Sequence, residues 1–149
     1  MPDLLLHAEP YGSLLRDAEV PCIIISWHGF ANSAQFRFLM NHGLELYAAE
    51  AVRTQPLGWL ADTRGLSAVK LAEQDWLKDD WNHRAAAAGI RHVGFVVPES
   101  VFGQITVQNY SINAANATQY RIVPLQHRTV AEAKAWLKKV IHQPPTADS

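Results

Sequence analysis

The sequence predicts an α/β sandwich, a central mixed five-stranded sheet with about four helices. Short β-branched runs alternate along the chain with longer segments of helical periodicity, the pattern of an α/β layer fold. The run Ile23-Ile24-Ile25 is apolar on both faces, as a strand at the centre of a covered sheet must be. The length of 149 residues and the apolar content of 48% suit one domain with one core. The expected layout is a single domain over residues 1–142 and a flexible tail over 143–149, the tail rich in proline and small polar residues.

Leu4 to His7 reads as a short first strand, and Pro10 to Asp17 as a turn or hairpin connection around Tyr11 and Gly12. Ile23 to Ile25, followed by Ser26 and Trp27, carries the central strand, which His28-Gly29 ends. Asn32 or Ser33 caps the first helix. Phe36, Leu39, Met40, Leu44, Tyr47 and Ala51 give that helix one apolar stripe. Gly43 weakens it by about 1 kcal/mol relative to alanine without breaking it, and Gln55-Pro56 stops it.

Leu57 to Ala61 is the next buried strand, ending at Asp62-Thr63-Arg64-Gly65, where Gly65 is read as a positive-φ turn residue. A helix over Ala72 to Ala88 follows, with acidic residues early, Arg84 late, and Gly89 as its C-cap. Arg91 to Val97 is a strand, Ser100 to Ala115 a helix, and Tyr120 to Pro124 the last strand. Thr129 caps the final helix in a capping box with Glu132.

Composition narrows the function classes. Thirteen basic and 14 acidic residues leave a net charge of -1, without the concentrated positive charge of a nucleic-acid binder. Apolar runs fall far short of the roughly 20 residues of a membrane span, and the first residues lack the long apolar core of a secretion signal. These features predict a cytoplasmic protein with no integral membrane association. A single cysteine forms no internal disulfide. Cys22 and His28 on one straight strand would stand about 20 Å apart, too far for a catalytic pair. Asp79 and His83 share a helix face but are too few for a metal site. No cofactor motif is present.

Several segments together resemble the STAS-like fold, in particular its SpoIIAA-like or STAS/SEC14-like group. They are Trp27-His28-Gly29-Phe30, Trp59 to Arg64, Asp75-Trp76-Leu77 with Trp81 and Arg84, Gly89 to Val96, Pro98 to Phe102, and Glu132 to Leu137. The resemblance spans roughly residues 4 to 141. It implies a partner-binding regulatory domain, since the better known members bind regulatory proteins and are switched by phosphorylation at a corner after a central strand. The matching corner here lacks the Asp-Ser-Ser-Gly type of sequence, which leaves Thr63 and Ser67 as the candidate phosphoacceptors.

Asp62 and Arg64 form the first candidate site, since strand carboxyl ends in open α/β sheets favour ligands. They read equally as a loop cap and an ion pair. Trp76 and Trp81 lie five residues apart and diverge by about 140° on a helix, so one of them is expected outside the core as an anchor for a loop or a second subunit. The segment Ser100 to Gln119 carries no charged side chain, and with Phe102 and Ile105 it is expected to form an interface or line a pocket. The leading expectation is a non-enzymatic interaction domain that forms a homodimer. The alternatives are a small-molecule or lipid binder with its pocket between that helix and the Asp62 corner, and a weak hydrolase-like enzyme.

Overall fold

A computed structural model describes residues 3–143. Apart from Gln143, the expected tail lies outside the described residues. The sheet has six strands in the order β1-β2-β3-β4-β5-β6: β1 Leu4–Glu9, β2 Gly12–Asp17, β3 Cys22–Gly29, β4 Gly58–Leu66, β5 His92–Val96 and β6 Val123–His127. The first three pair antiparallel, and β3 to β6 run parallel. The α/β class and the mixed sheet agree with the sequence reading.

The sixth strand is β2, which the sequence reading placed in a connection. Pro10 and Tyr11 make a two-residue turn between the paired Glu9 and Gly12. The charges of Arg16 and Asp17 hid the strand, yet each finds a partner, on opposite faces of the sheet. Arg16 bonds Glu50 at 3.2 Å, and Asp17 meets Lys134 at 2.9 Å.

Each parallel strand pair is joined by a helical crossover. Helix α1 (Ser33–Ala51) follows β3. Helix α2 (Leu71–Trp76), a π-helical turn (Leu77–Trp81) and α3 (Asn82–Ala88) follow β4 as one continuous rod. Helix α4 (Val101–Asn116) follows β5. Strand order never reverses from β3 to β6, so crossovers of one hand place all three on the same face. Helix α5 (Val130–Val140) packs alone on the other face, against β4 and β5. The larger core gathers Ile23, Ile25, Trp59 and Phe95 against α1, the rod and α4. The smaller gathers Cys22, Ile24, Leu60 and Val96 against Ala133 and Leu137 of α5. β3 is therefore buried on both faces, as its isoleucine run requires.

The caps follow local chemistry. Asn32 accepts from the Gln35 backbone N–H at 2.8 Å, and the Gln35 side chain accepts from the Asn32 N–H at 2.9 Å, a complete capping box. Thr129 accepts from the Glu132 N–H, but Glu132 reaches one residue further back, to the Arg128 N–H. Gly89 closes α3 at φ 110°, a conformation suited to glycine. β6 begins three residues later than expected. Tyr120 is held at its hydroxyl by Asn82, Ile122 enters the core, and Pro124 sits within β6 because an edge strand leaves one side unpaired.

Candidate functional site

β4 runs on to Leu66, so Asp62, Thr63 and Arg64 lie inside a strand rather than in a corner after it. Strand alternation then separates them. Asp62 and Arg64 meet on one face, where Asp62 Oδ1 accepts from Arg64 Nε at 2.9 Å and Oδ2 from Nη2 at 2.7 Å. Hydrogen bonding to Asp62 raises the Arg64 pKa above its ordinary value. Asp62 also accepts from the Arg64 backbone N–H at 3.3 Å. Both carboxylate oxygens are thus engaged by a neighbour two residues away.

Thr63 turns into the larger core, 2% exposed, and donates its hydroxyl to the Val96 carbonyl. That burial removes it as a phosphoacceptor. Ser67, half-buried in the loop before α2, keeps an accessible position. Gly65 is not a positive-φ residue, since among the described residues that conformation occurs only at Gly29 and Gly89. It is glycine because a Cβ there would run into the Trp27 carbonyl. The close approach accompanies a register shift in which Ser26 pairs with Asp62 but His28 with Gly65.

A polar pair missed in the sequence lies beside this strand. Ser13 Oγ and His28 Nε2 stand 3.1 Å apart across β2 and β3. Ser13 pairs with Ser26, which pairs with Asp62, so the three line one row across three strands. The signal was unreadable without β2 as a strand. Among the described residues, no group of three or more His, Cys, Asp or Glu side chains is placed to hold a metal ion.

The two tryptophans part as the helix geometry requires, though neither is a free anchor. Trp81 is 1% exposed, packs against Trp59 and donates Nε1–H to the Met40 carbonyl at 2.9 Å. It is core, which corrects its place as a contact residue. Trp76 is half-buried, with the guanidiniums of Arg37 and Arg84 at 5.1 and 5.8 Å from its ring and Phe36 at its edge. Its ring binds the rod to α1. Glu73, 4% exposed, adds bonds to Ser33 and Arg37 at the same seam.

Helix α4 keeps an apolar face in solvent. Gly103, Thr106, Val107 and Ala114 turn inward. Val101, Ile105 and Ile112 are 66%, 49% and 51% exposed, and Phe102 beside them 67%. With exposed Gln108, the positions 101, 105, 108 and 112 trace one stripe about 16 Å long. Phe30, after β3, and Leu71, at the start of α2, are also exposed at the carboxyl end of the parallel strands.

The cavity at the place where a ligand pocket was expected, between α4 and β4, is too small for one. The space beneath α4, lined by Thr63, Thr106 and Tyr110 among others, is only about 50 Å³. Ligand pockets run to some hundreds of Å³. Strand order does not reverse from β3 to β6, so the sheet lacks the topological switch point at which such crevices form. A larger cavity of about 460 Å³ opens at the opposite end of the sheet, lined by Tyr47, Leu57, Arg91, His92, Arg121 and Ile141 among others. No helix among the described residues is long and apolar enough to cross a membrane. Comparison with protein-family models, with curated proteins and with solved structures finds no match for this chain.

Proposed function

We propose that this protein is a non-enzymatic interaction module and that the outer face of α4 is its docking surface, with a second copy of the chain as the occupant. The observation that carries the reading is the solvent-facing stripe of Val101, Ile105 and Ile112 on a helix without a charged side chain. Exposed apolar patches of this kind mark interaction sites. The spacing of the stripe, four-three-four, reads the same in both directions. An antiparallel copy across a two-fold axis therefore meets it in register, as an isologous contact demands. An uncharged helix also meets its own copy without like-charge repulsion.

A stable dimer buries about 800 Å² per partner. One helix stripe falls short of that, so the contact extends to Phe102, Leu71 and Phe30 at the same end of the sheet, and the dimer is a weak one. The STAS-like resemblance supports the same reading, since partner binding is how the better known members act. A cytoplasmic setting suits a chain whose cysteine is a buried free thiol.

Sedimentation velocity over a concentration series tests the proposal. The wild-type chain shifts from monomer to dimer with rising concentration, and the shift is insensitive to salt because no ion pair holds the contact. Ile105→Glu remains monomeric with an unchanged thermal midpoint, and a mixture of Ile105→Glu with Ile105→Lys regains dimer. A wild-type chain that stays monomeric at the highest concentration overturns self-association. A dimer undisturbed by Ile105→Glu overturns the assignment to α4.

A further inference from the structure

The cavity of about 460 Å³ lies at the amino end of the parallel strands, where helices from both faces of the sheet reach their last turns. Tyr47 and Ala51 from α1, Ala88 and Gly89 from the end of α3, and Val140 and Ile141 from the end of α5 line it. Its volume lies within the range of small-molecule sites. Among the described residues the charged lining is of one sign. Arg91 and Arg121 border the cavity with His92, and among the described residues no carboxylate side chain does.

The two arginines differ in what already holds them. Arg91 donates to the Ala86 carbonyl at 3.2 Å and so caps α3. Arg121 is exposed, and none of the hydrogen bonds or ion pairs among the described residues engages it. Three helix carboxyl ends make this a place of partial negative charge. An anion would be repelled there but for the guanidiniums, whose fork geometry suits a carboxylate or phosphate. The apolar wall, with Leu57, Val123 and Ile141, suits a hydrocarbon body rather than a free inorganic ion. The Tyr47 hydroxyl is turned away to the Leu57 carbonyl at 2.7 Å, leaving its ring as wall.

We propose that this cavity binds a compact amphipathic organic anion, its head group held by Arg121 with Arg91 and its apolar body against the walls from α1 and α5. Carboxylate and phosphate monoester heads share the chemistry that the arginines recognise.

Titration of the full chain with 4-phenylbutyrate, phenyl phosphate and the neutral 4-phenylbutyramide, followed by backbone amide NMR, tests this. The anions produce saturable shifts at Gly89, His92 and Val123, and their relative affinity shows which head group is preferred. The amide binds roughly tenfold more weakly or worse, the scale of a lost charge-assisted hydrogen bond. Arg121→Gln weakens the anions by a similar factor and leaves the amide and the thermal midpoint unchanged, because the side chain has no structural partner to lose. Arg121→Lys recovers part of the loss. Absence of saturable shifts in this region at millimolar anion, or equal binding of the anions and the amide, overturns the proposal. Shifts centred on α4 instead would place the ligand elsewhere and overturn it too.

Discussion

Trp81 and Trp76 show how a five-residue step sorts side chains between core and surface. Trp81 fills the space between α1 and β4 and satisfies its indole N–H on Met40. Truncation leaves a cavity and removes that bond, while the Met40 carbonyl keeps its intrahelical partner. Trp81→Ala is expected to cost about 3–5 kcal/mol, read as a fall in the urea midpoint, whereas Trp76→Ala at its half-exposed seam costs less. The ionisable residues set a second expectation. Burial raises the Asp17 carboxyl, but hydrogen bonds from Lys134 and from the Glu19 and Val20 backbone outweigh it and hold the pKa below 3.8. Glu50 behaves alike: burial is outweighed by bonds from Thr54, Arg53 and Arg16, which lower it below 4.5. Burial lowers His92, with Arg91 adding to it, and burial lowers His127. All four folded values lie below the unfolded ones, so their contribution is complete above the unfolded pKa and is lost as pH falls through the folded one. Urea midpoints should therefore begin to fall below about pH 6.5, where the histidines act, and fall again below about pH 4.5, where the carboxylates act. His92→Gln with His127→Gln is expected to flatten the first step alone.

Helices and strands obey local rules until a neighbour intervenes. Gly43 lies mid-helix in α1, where alanine would gain about 1 kcal/mol in propensity. A Cβ there would stand 2.8 Å from the Trp59 ring and 3.0 Å from Leu14. Both side chains are buried and cannot withdraw, and overpacking costs about 1–3 kcal/mol. Packing wins: Gly43→Ala is expected to lower stability, and a rise in the thermal midpoint would refute this account. The same competition explains where element boundaries were legible. The stripe of α1, the Asn32 cap and the Gly89 stop could be read because each depends on residues a few positions apart. β2 could not, because Arg16 and Asp17 belong in a strand only once Glu50 and Lys134, distant in sequence, are brought opposite them. β4 outran its expected end for the same reason, since Asp62 and Arg64 satisfy each other and Thr63 finds the Val96 carbonyl on β5.

The whole molecule is asymmetric across its sheet. Three crossovers load one face, and α5 alone covers part of the other, leaving Leu5 at the β1 edge 57% exposed. Consecutive strand order produces this arrangement and also removes the crevice that a reversal would create. The two proposed surfaces are separate: an apolar stripe runs along the outer face of α4 from the carboxyl end of the parallel strands, and an arginine-bordered cavity, with no α4 residue in its lining, opens at their amino end. The proposed self-association through α4 would leave the cavity open, so Ile105→Glu is expected to bind 4-phenylbutyrate as the wild type does. Parallel NMR titrations of the two proteins check that independence.

The sequence by itself determined the α/β class, the four helical segments, the doubly buried β3 and the uncharged character of residues 100–119, because each is written in short-range periodicity or composition. Only the tertiary structure decided that Trp81 and Thr63 are core, that Asp62 and Arg64 engage each other, and that α4 turns Ile105 and Phe102 to solvent. It alone brought Arg91 and Arg121 to one cavity. Those outcomes depend on which distant segments share a face, and strand pairing and helix packing set that through contacts that no local window of sequence contains.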